Sequence, residues 1–526
     1  MKEIKVMNTG IPGFDTVLGG GIPVGSLVML IGNPGTGKTL MIQQLCFAWA
    51  RRQQEIRRQP ETAGAVSTQE PPTLAIGPSG KKKNPRKSSE RARSKAIYFS
   101  TLSEPHDKLI EHISQMDFFD ESFFVEDIRL LSLTSVMDEG LDKVANLIVD
   151  TVRHENAGFV CIDGFRALEG LAANPDSIRR FLYRLSAQLN LLGVTAVISL
   201  ERSLTETGSE GDLTIADVII GLYNVVEGPR VYNRVEVRKI RGLRQVRGLH
   251  TYDISKKGWT IYPRFESLAP QLLSYPGAGS TDTRVGFGIP ALEKMLGGGL
   301  PKGSTTLLAG SLGVGKTLLC LSYLIEGAHQ GQPGLYVGFY ESAAQLFIKA
   351  ERFGLDLRRA VENGLITLLN IAPIQLEPDV LAARINEEVE QHGVQRFVVD
   401  GVLEVEEASR FGNRTHDYLA ALVGFSKEKN ITTIYTYKIS KIIGTELDFS
   451  NTPLAILAEN LILLRQLERQ NKFVRVISIL QMRDSSHDSE PKEFTIEPDT
   501  GINIQVYDGG EGAPVSGLAG GFDQDN

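Results

Sequence analysis

The chain has 526 residues, of which 42% are hydrophobic, 23% charged and 7% aromatic, and its formal net charge is −7 at pH 7. This length predicts two to four domains of about 100–200 residues each, and the composition excludes a chain that is disordered throughout. No apolar run approaches the roughly 18 residues that cross a bilayer, and the N-terminus lacks the apolar core of a secretory signal. The three scattered cysteines favour neither a disulfide framework nor a metal site, so we expect a cytoplasmic protein.

The charge is distributed unevenly along the chain. Residues 51–95 carry twelve Lys and Arg against four Asp and Glu, a net charge of +8, which leaves −15 for the remainder. The acidic remainder argues against a broad nucleic-acid-binding surface. The segment 51–95 is rich in Pro, Ser, Gly and Lys and has no apolar period, which is typical of a disordered surface insertion. It is either a solvated spacer or a basic arm that contacts nucleic acid or an acidic partner.

The sequence contains one unit twice. The first copy begins at Gly10 with GIPGFDTVLGGGIPVGSLVMLIGNPGTGKTLMIQQL, and the second begins at Gly288 with GIPALEKMLGGGLPKGSTTLLAGSLGVGKTLLCLSYL, an offset of 278 residues. Two later pairs have an offset of 237: Glu104 with Glu341, and Asp163 with Asp400. The difference between the offsets, 41 residues, places an insertion in the first copy between Thr39 and Glu104.

Each copy alternates short β-rich runs with helical stretches. The predicted strands are SLVMLIG, AIYFST and GFVCID in the first copy and STTLLAG, GLYVGFY and RFVVD in the second, with helices from Lys38, Pro105 and Lys316. Apolar runs of this length between helices are typical of parallel strands buried on both faces. We therefore predict an α/β fold with two tandem domains, 1–267 and 283–507, joined by a linker at 268–282 and followed by a Gly-rich flexible tail at 508–526.

Both copies contain a phosphate-binding loop. The segments 32–39 and 310–317 fit GxxxxGK[ST], each between a predicted strand and a predicted helix. Their glycines let backbone N–H groups face phosphate oxygens, the lysine reaches the β- and γ-phosphates, and the threonine offers a hydroxyl to Mg²⁺. The predicted ATP-binding residues are Gly32, Gly35, Thr36, Gly37, Lys38, Thr39, Leu40, Gly310, Gly313, Val314, Gly315, Lys316, Thr317 and Leu318.

An aspartate ends one buried strand of each copy. Asp163 ends GFVCID and Asp400 ends RFVVD, which is the place of an acid that holds Mg²⁺ through its water shell. The predicted metal-binding residues are therefore Thr39, Asp163, Thr317 and Asp400. Ser199 and Thr436 end the next predicted strand, where each either contacts the γ-phosphate or merely suits a strand end.

With these two units, the sequence resembles the KaiC family of RecA-like ATPases. The most specific segments are GIPGFDTVLGGGIPVGS, GIPALEKMLGGGLPKGS and VEVRKIRGLRQVRGLHTYDISKKGWTIYP, and the resemblance covers nearly the whole chain except the insertion and the tail. It implies two tandem RecA-like P-loop NTPase domains, each a mainly parallel sheet flanked by helices, with ATP and Mg²⁺ as ligands. It also implies a homo-oligomer, a hexamer with ATP between neighbouring subunits, and we expect an unidentified regulatory protein partner.

In that family a Lys-x-Arg pair reaches the phosphates of the adjacent subunit. Lys239 and Arg241 match the pair in the first copy, whereas the second copy has Gln481 and Arg483. The resemblance therefore gives Lys239, Arg241 and Arg483 a catalytic role; without it, alternating basic residues on an edge strand would be interpreted as solvated. Because only the first copy has both cations, we predict that it is the better ATPase.

The family usually places two adjacent glutamates after the strand that follows the P-loop helix, and the first acts as general base. Here these places hold Ser103 with Glu104 and Tyr340 with Glu341. Neither Ser nor Tyr can accept a proton from water at neutral pH. Either Glu104 and Glu341 take over as bases, with weak hydrolysis, or hydrolysis is very slow; alternatively, each glutamate only places a charge at a helix N-terminus.

The clock member of the family carries adjacent Ser and Thr phosphoacceptors before an apolar strand. Those places hold Ala455 and Ile456 here, although Ser450 and Thr452 are nearby hydroxyls. We predict an ATP-binding, slowly hydrolysing regulatory ATPase that assembles into a ring. The alternatives are a non-hydrolysing nucleotide-dependent scaffold, a Ser/Thr autokinase and a recombinase-like DNA-dependent ATPase.

Overall fold

The computed structural model describes residues 4–58, 95–101, 106–172, 174–202, 214–227, 230–268, 283–410, 413–439, 453–469, 472–483 and 485–505. Most of the predicted insertion, the predicted linker after residue 268 and the predicted tail lie outside these ranges, as does Glu104. The chain divides into two compact units, Met1–Arg264 and Phe265–Asn526.

The first unit contains eleven strands and eight helices in its described part. The strands are β1 (Val6–Met7), β2 (Ile22–Pro23), β3 (Leu27–Gly32), β4 (Lys95–Ser100), β5 (Ile128–Ser132), β6 (Ala157–Asp163), β7 (Thr195–Glu201), β8 (Val218–Glu227), β9 (Arg230–Ile240), β10 (His250–Ser255) and β11 (Gly258–Tyr262). The helices are α1 (Phe14–Leu18), α2 (Lys38–Arg58), α3 (His106–Ile113), α4 (Phe123–Glu126), α5 (Thr134–Met137), α6 (Leu141–His154), α7 (Arg166–Glu169) and α8 (Pro175–Leu191).

The second unit repeats this arrangement. Its strands are β12 (Arg284–Val285), β13 (Leu300–Pro301), β14 (Thr305–Gly310), β15 (Gly334–Gly338), β16 (Ile366–Asn370), β17 (Arg396–Asp400), β18 (Thr432–Lys438), β19 (Asn460–Arg469), β20 (Lys472–Met482), β21 (Lys492–Glu497) and β22 (Gly501–Ile504). Its helices are α9 (Phe265–Leu268), α10 (Pro290–Met295), α11 (Lys316–His329), α12 (Ala343–Arg352), α13 (Leu357–Glu362), α14 (Pro378–His392), α15 (Val402–Ala408), α16 (Thr415–Glu428) and α17 (Pro453–Leu457), with a 3-10 turn at Pro373–Gln375.

Each unit is built on a nine-stranded sheet. The strand orders are β11-β10-β9-β8-β3-β7-β6-β4-β5 and β16-β15-β17-β18-β14-β19-β20-β21-β22, which are the same order viewed from opposite ends. The six strands from β8 to β5, and their counterparts from β19 to β16, pair in parallel. The remaining strands are antiparallel hairpins. The predicted mainly parallel α/β architecture is confirmed.

The core of each unit lies on both faces of its sheet. In the first unit one cluster packs α2 against one face, and a second cluster packs α6 and α8 against the other. The P-loop strands β3 and β14 are buried at all six positions, because helices cover both faces of a parallel sheet. Such a core fixes the strand ends, and the candidate sites lie at those ends.

The first unit ends at Arg264, three residues before the predicted boundary at 267, and the second unit begins at Phe265. Phe265 is 8% exposed and packs against the aromatic rings of Tyr418 and Phe425 in α16. Arg414, which precedes α16, makes ion pairs with Glu266 at 2.6 Å and with Asp379 at 2.5 Å. These contacts tie α9 to the second unit.

Candidate nucleotide-binding sites

The first phosphate loop joins β3 to α2. Gly32 is the last residue of β3, and Lys38 is the first residue of α2. Gly35 and Gly37 have φ values of 77° and 84°, which favour glycine. The Lys38 ammonium donates to the carbonyl oxygens of Gly32 and Asn33, at 2.8 Å each, and burial lowers its pKa. The structure therefore supplies the strand, loop and helix that the sequence motif requires.

Side chains from the β10–β11 hairpin support this loop. The Trp259 indole N–H donates to the Gly37 carbonyl at 3.2 Å, and the Tyr252 hydroxyl donates to the Thr36 carbonyl at 3.1 Å. The two rings stack with centroids 4.1 Å apart. A Cβ on Gly37 would lie 2.5 Å from Ile254 Cδ1. Glycine is therefore required at this position by space as well as by φ.

The second phosphate loop joins β14 to α11. Lys316 is the first residue of α11, and its ammonium donates to the carbonyl oxygens of Gly310 at 2.9 Å and Ser311 at 2.8 Å. Gly313 and Gly315 have φ values of 71° and 114°. Burial lowers the pKa of Lys316, as it does for its counterpart in the first unit. The two loops hold their lysines in the same way.

Some of the other predicted ATP-binding residues are packed in the core, and others are exposed to solvent. Thr36 and Val314 are buried, and Leu318 is 4% exposed, so these side chains anchor the loops to the core. Leu40 is partly buried against the core cluster of the first unit. Thr39 is exposed, which leaves its hydroxyl accessible to a ligand.

Asp163 ends β6 in a buried position, 2% exposed. The Tyr98 hydroxyl donates to its Oδ2 at 2.7 Å, and the Ser199 hydroxyl donates to its Oδ1. Burial and the neighbouring Asp163 raise the pKa of Tyr98, so this hydroxyl stays protonated and can only donate to the carboxylate. Asp163 is therefore held by two hydroxyl donors at the carboxyl edge of the sheet.

Asp400 ends β17 in a similar network. Its Oδ2 accepts hydrogen bonds from Thr317 at 2.7 Å and Tyr336 at 2.8 Å, and its Oδ1 accepts from Thr436 at 2.6 Å. Burial, followed by the charge of Asp400, raises the pKa of Tyr336. Hydrogen bonds to a charged acceptor contribute roughly 1.5–3 kcal/mol each. This network brings together the predicted metal-binding threonine and aspartate of the second unit.

The network shows what the sequence reasoning missed. Ser199 and Thr436 were predicted either to contact the γ-phosphate or to suit a strand end, whereas both donate to the strand-terminal aspartate. Tyr98 and Tyr336 were not predicted to take part. The internal repeat could have indicated them, because both copies have a tyrosine at the centre of the predicted strand, in AIYFS and GLYVG. In the structure these strands pair with the strands that end in Asp163 and Asp400.

The donors of the second unit fit Mg²⁺. A threonine hydroxyl and one carboxylate, here Thr317 and Asp400, are oxygen ligands of the kind that Mg²⁺ shares with water and nucleotide phosphates. The described residues contain no group of three or more His, Cys, Asp or Glu side chains arranged to hold a metal. A bound Mg²⁺ would neutralise charge on the transferring phosphate.

A cavity of about 630 Å³ opens beside the second phosphate loop, within the size range of small-molecule sites. Its wall combines a P-loop cation, a hydroxyl and several acids. The lining includes Lys316, Thr317, Tyr340, Glu341, Asp400 and Glu404.

Glu341, the predicted base of the second unit, is held in an ion pair. Its Oε1 accepts a hydrogen bond from the Lys349 ammonium at 2.5 Å, and both side chains are 33% exposed. Its Oε2 is shielded from solvent and has no hydrogen-bond partner in the described part of the chain. The predicted strand GLYVGFY ends at Gly338, so Tyr340 and Glu341 lie beyond β15.

The strand register before Glu104 and Glu341 differs by one residue from the predicted offset. Ser100 pairs with Asp163, and Gly338 pairs with Asp400, so these strands have an offset of 238 (338 minus 100), one more than the predicted 237. Glu104 itself lies outside the described residues, and its predicted catalytic role stays a prediction.

The predicted trans-acting residues of the first unit contact their own unit. The Lys239 ammonium donates to the Thr214 carbonyl at 3.0 Å, and Arg241 pairs with Asp217 at 3.1 Å. Burial, followed by the charge of Arg241, lowers the pKa of Lys239. Asp217 also accepts a hydrogen bond from the Leu27 N–H, at the start of the P-loop strand.

The second unit holds the corresponding residues against the corresponding turn. Arg483 donates to the Ile456 carbonyl at 2.8 Å, and Gln481 donates to the Glu459 carbonyl at 3.5 Å. Glu459 accepts from the Thr305 N–H at 2.6 Å, as Asp217 does from Leu27. In each unit the strand that carries these residues is therefore linked to the strand that enters the phosphate loop, through the Asp217 carboxylate in the first unit and through Glu459 in the second.

Comparison with known protein families gives a match over most of the chain. A family model described as "ATPase: KaiC" matches residues 7–57, 89–266 and 285–508. The chain belongs to the KaiC ATPase family. The break in the match between residues 57 and 89 lies within the predicted insertion 51–95.

Three relatives illustrate the similarity. The circadian clock oscillator protein KaiC of Picosynechococcus sp. is 26% identical over 509 residues, which cover 94% of this chain and 89% of the relative. KaiC 1 of Synechocystis sp. is 25% identical over 512 residues, with coverage of 95% and 89%. KaiC of Nostoc sp. is 25% identical over 515 residues, also with coverage of 95% and 89%. Among the helices that the structure describes, none has the length and apolar character needed to cross a membrane.

Proposed function

We propose that this KaiC-family ATPase binds Mg·ATP at both phosphate loops, hydrolyses it slowly and assembles into a ring with nucleotide at subunit interfaces. The observation that carries the proposal is the convergence of Lys316, Thr317 and Asp400 on one cavity. The first unit repeats the loop lysine and the strand-terminal aspartate with Lys38 and Asp163. This combination matches the chemistry of phosphoryl transfer, which depends on positioning and charge neutralisation.

Exposed side chains beside the second cavity and in the Lys-x-Arg strand of the first unit support ring assembly, because they are available to contact another subunit. Leu312 and Tyr340 are 65% and 73% exposed beside the cavity, and Arg241 is 60% exposed in the Lys-x-Arg strand of the first unit. In a hexamer these residues would contact a neighbouring subunit. A regulatory protein would then bind the assembly more tightly in one nucleotide state and so shift the equilibrium toward that state.

The test is phosphate release by purified full-length protein with Mg·ATP, with assembly size measured in parallel by light scattering. The control is the double variant Lys38→Ala with Lys316→Ala. The proposal predicts slow release and ATP-dependent assembly, both lost in the double variant. Release that persists in the double variant would contradict it, because that activity would not come from these sites.

A second candidate is a non-hydrolysing nucleotide-dependent scaffold, and one observation favours it. Of the two adjacent glutamates that the family usually has after this strand, the second unit keeps Glu341. The carboxylate of Glu341 is engaged by Lys349. The scaffold candidate predicts ATP-dependent assembly without phosphate release above that of the double variant. The same experiment therefore separates the two candidates.

A further inference from the structure

Tyr340 and Glu404 lie together at the mouth of the second cavity, and the motifs assign no role in catalysis to Glu404. Tyr340 follows β15, and Glu404 lies in the first turn of α15, four residues after Asp400. Both line the cavity that contains Lys316. The neighbouring Glu404 carboxylate, followed by burial, raises the pKa of Tyr340. The tyrosine hydroxyl therefore stays protonated beside this carboxylate.

The Glu404 carboxylate lies close to the predicted metal-binding aspartate. Gly401 directly follows Asp400 and has a φ of 122°, and a Cβ placed on it would be 2.5 Å from Glu404 Oε2. The side chain of Glu404 therefore folds back over the end of β17. It is half-buried, and the described part of the chain provides no ion-pair partner for it.

Glu341 offers a poorer acceptor in the same cavity. One of its oxygens is bound by Lys349 at 2.5 Å. The other is shielded from solvent, so a water molecule in the cavity cannot reach it without rearrangement. Of the two glutamates, Glu404 is the one whose carboxylate is not engaged by a cation.

We propose that Glu404 is the general base of the second unit and that Tyr340 is a positioning residue that orients its carboxylate. The inference rests on the proposed hydrolysis at this site. The water oxygen forms a bond to the γ-phosphorus while the bond from that phosphorus to the bridging oxygen breaks. ADP leaves with the electron pair of the broken bond, and the proton of the water passes to Glu404. The sequence-based prediction assigned this proton to Glu341; a kcat that falls in Glu341→Gln and stays parental in Glu404→Gln would favour that assignment.

Glu404 has no counterpart at the matching position of the first unit. The offset of 237 that joins the two aspartates places Ala167, in α7, at the position of Glu404. The side chain of Ala167 cannot accept a proton, so the first unit has no base at this position.

The experiment measures kcat and KM for phosphate release by full-length protein that carries Lys38→Ala, which leaves the second site as the source of activity. In this background the variants are Glu404→Gln, Glu341→Gln, Tyr340→Phe and the pair Tyr340→Phe with Glu404→Gln. The matched control is Glu407→Gln, on the same helix with a side chain that is 77% exposed. Binding of a fluorescent ATP analogue checks that each variant still holds nucleotide.

The proposal predicts that Glu404→Gln lowers kcat at least about ten-fold with unchanged nucleotide affinity, as loss of a general base does. Tyr340→Phe lowers kcat by a smaller factor with unchanged KM, and it lowers kcat no further in the Glu404→Gln variant, because residues that act as a unit are not additive. The Glu407→Gln control keeps the parental kcat.

A parental kcat in Glu404→Gln overturns the proposal, and so does a further loss when Tyr340→Phe is added to it. Failure of the proposed function has a different signature. If the Lys38→Ala parent releases no more phosphate than the double variant Lys38→Ala with Lys316→Ala, the second site does not hydrolyse ATP, and the inference falls together with that function.

Discussion

Replacing Arg414 by methionine should destabilise the second unit strongly, because two buried acids would lose the cation that pairs with both of them. Arg414 is 11% exposed, and its guanidinium contacts Glu266 and Asp379, which are 7% and 1% exposed. The guanidinium binds Glu266 with two nitrogens, at 2.6 and 2.8 Å. Removing one partner of such a buried group costs about 3–5 kcal/mol. For a unit of this size, that corresponds to a fall in melting temperature of roughly 6–20 °C.

The assay is calorimetric unfolding of the full chain, compared with the matched variant Arg410→Met. Arg410 pairs with Glu407 at 3.9 Å, and these side chains are 73% and 77% exposed. An exposed pair contributes at most about 1 kcal/mol, so this control should barely move the transition. Salt at 0.5 M should leave the difference between the variants in place, because buried pairs are screened little. Equal shifts for Arg414→Met and Arg410→Met would refute the reasoning.

Three further predictions concern the second nucleotide site, each measured in the Lys38→Ala background. Tyr336→Phe removes a hydrogen-bond donor to Asp400 at 2.8 Å and should weaken Mg·ATP binding about ten-fold or more, as measured by calorimetry. Mg²⁺-free ADP should bind normally. Equal losses of affinity for both ligands would contradict this prediction. Gly315→Ala should abolish ATP binding, because its φ is 114° and its Cβ would lie 2.7 Å from Ile496, whereas Gly313→Ala, with open space around its Cβ, should cost less. Gln481→Lys, which restores the second cation of the Lys-x-Arg pair, should raise phosphate release, and an unchanged rate would show that this cation does not limit the second unit.

The parallel part of each sheet could be predicted from sequence because its signals are local. Apolar runs such as RFVVD, a glycine-rich loop and a following helix depend on neighbouring residues, and the strand β17 and the helices at Lys38 and Lys316 were predicted correctly. The antiparallel hairpins β8–β11 and β19–β22 were not described in the prediction. Their strands contain many half-buried positions, so they lack the continuous apolar pattern of the central strands.

The candidate sites could be predicted where one motif carries the chemistry and not where distant segments meet. Lys316 and Thr317 were predicted from the GxxxxGK[ST] motif, and Asp400 from its place at the end of an apolar strand with the same spacing in both copies. Tyr336, Thr436 and Lys349 depend on which strands and helices become neighbours, and a sequence offset gives no side-chain direction. The one-residue difference between the offsets 237 and 238 has the same origin, because strand register is fixed by pairing rather than by position along the chain.

The central claim, that the chain carries two independent Mg·ATP sites, is tested most directly by counting bound nucleotide. Equilibrium dialysis with a labelled, slowly hydrolysed ATP analogue should give two molecules per wild-type chain, one for Lys38→Ala, one for Lys316→Ala and none for the double variant. Two bound nucleotides in either single variant, or an undiminished count in the double variant, would contradict the account.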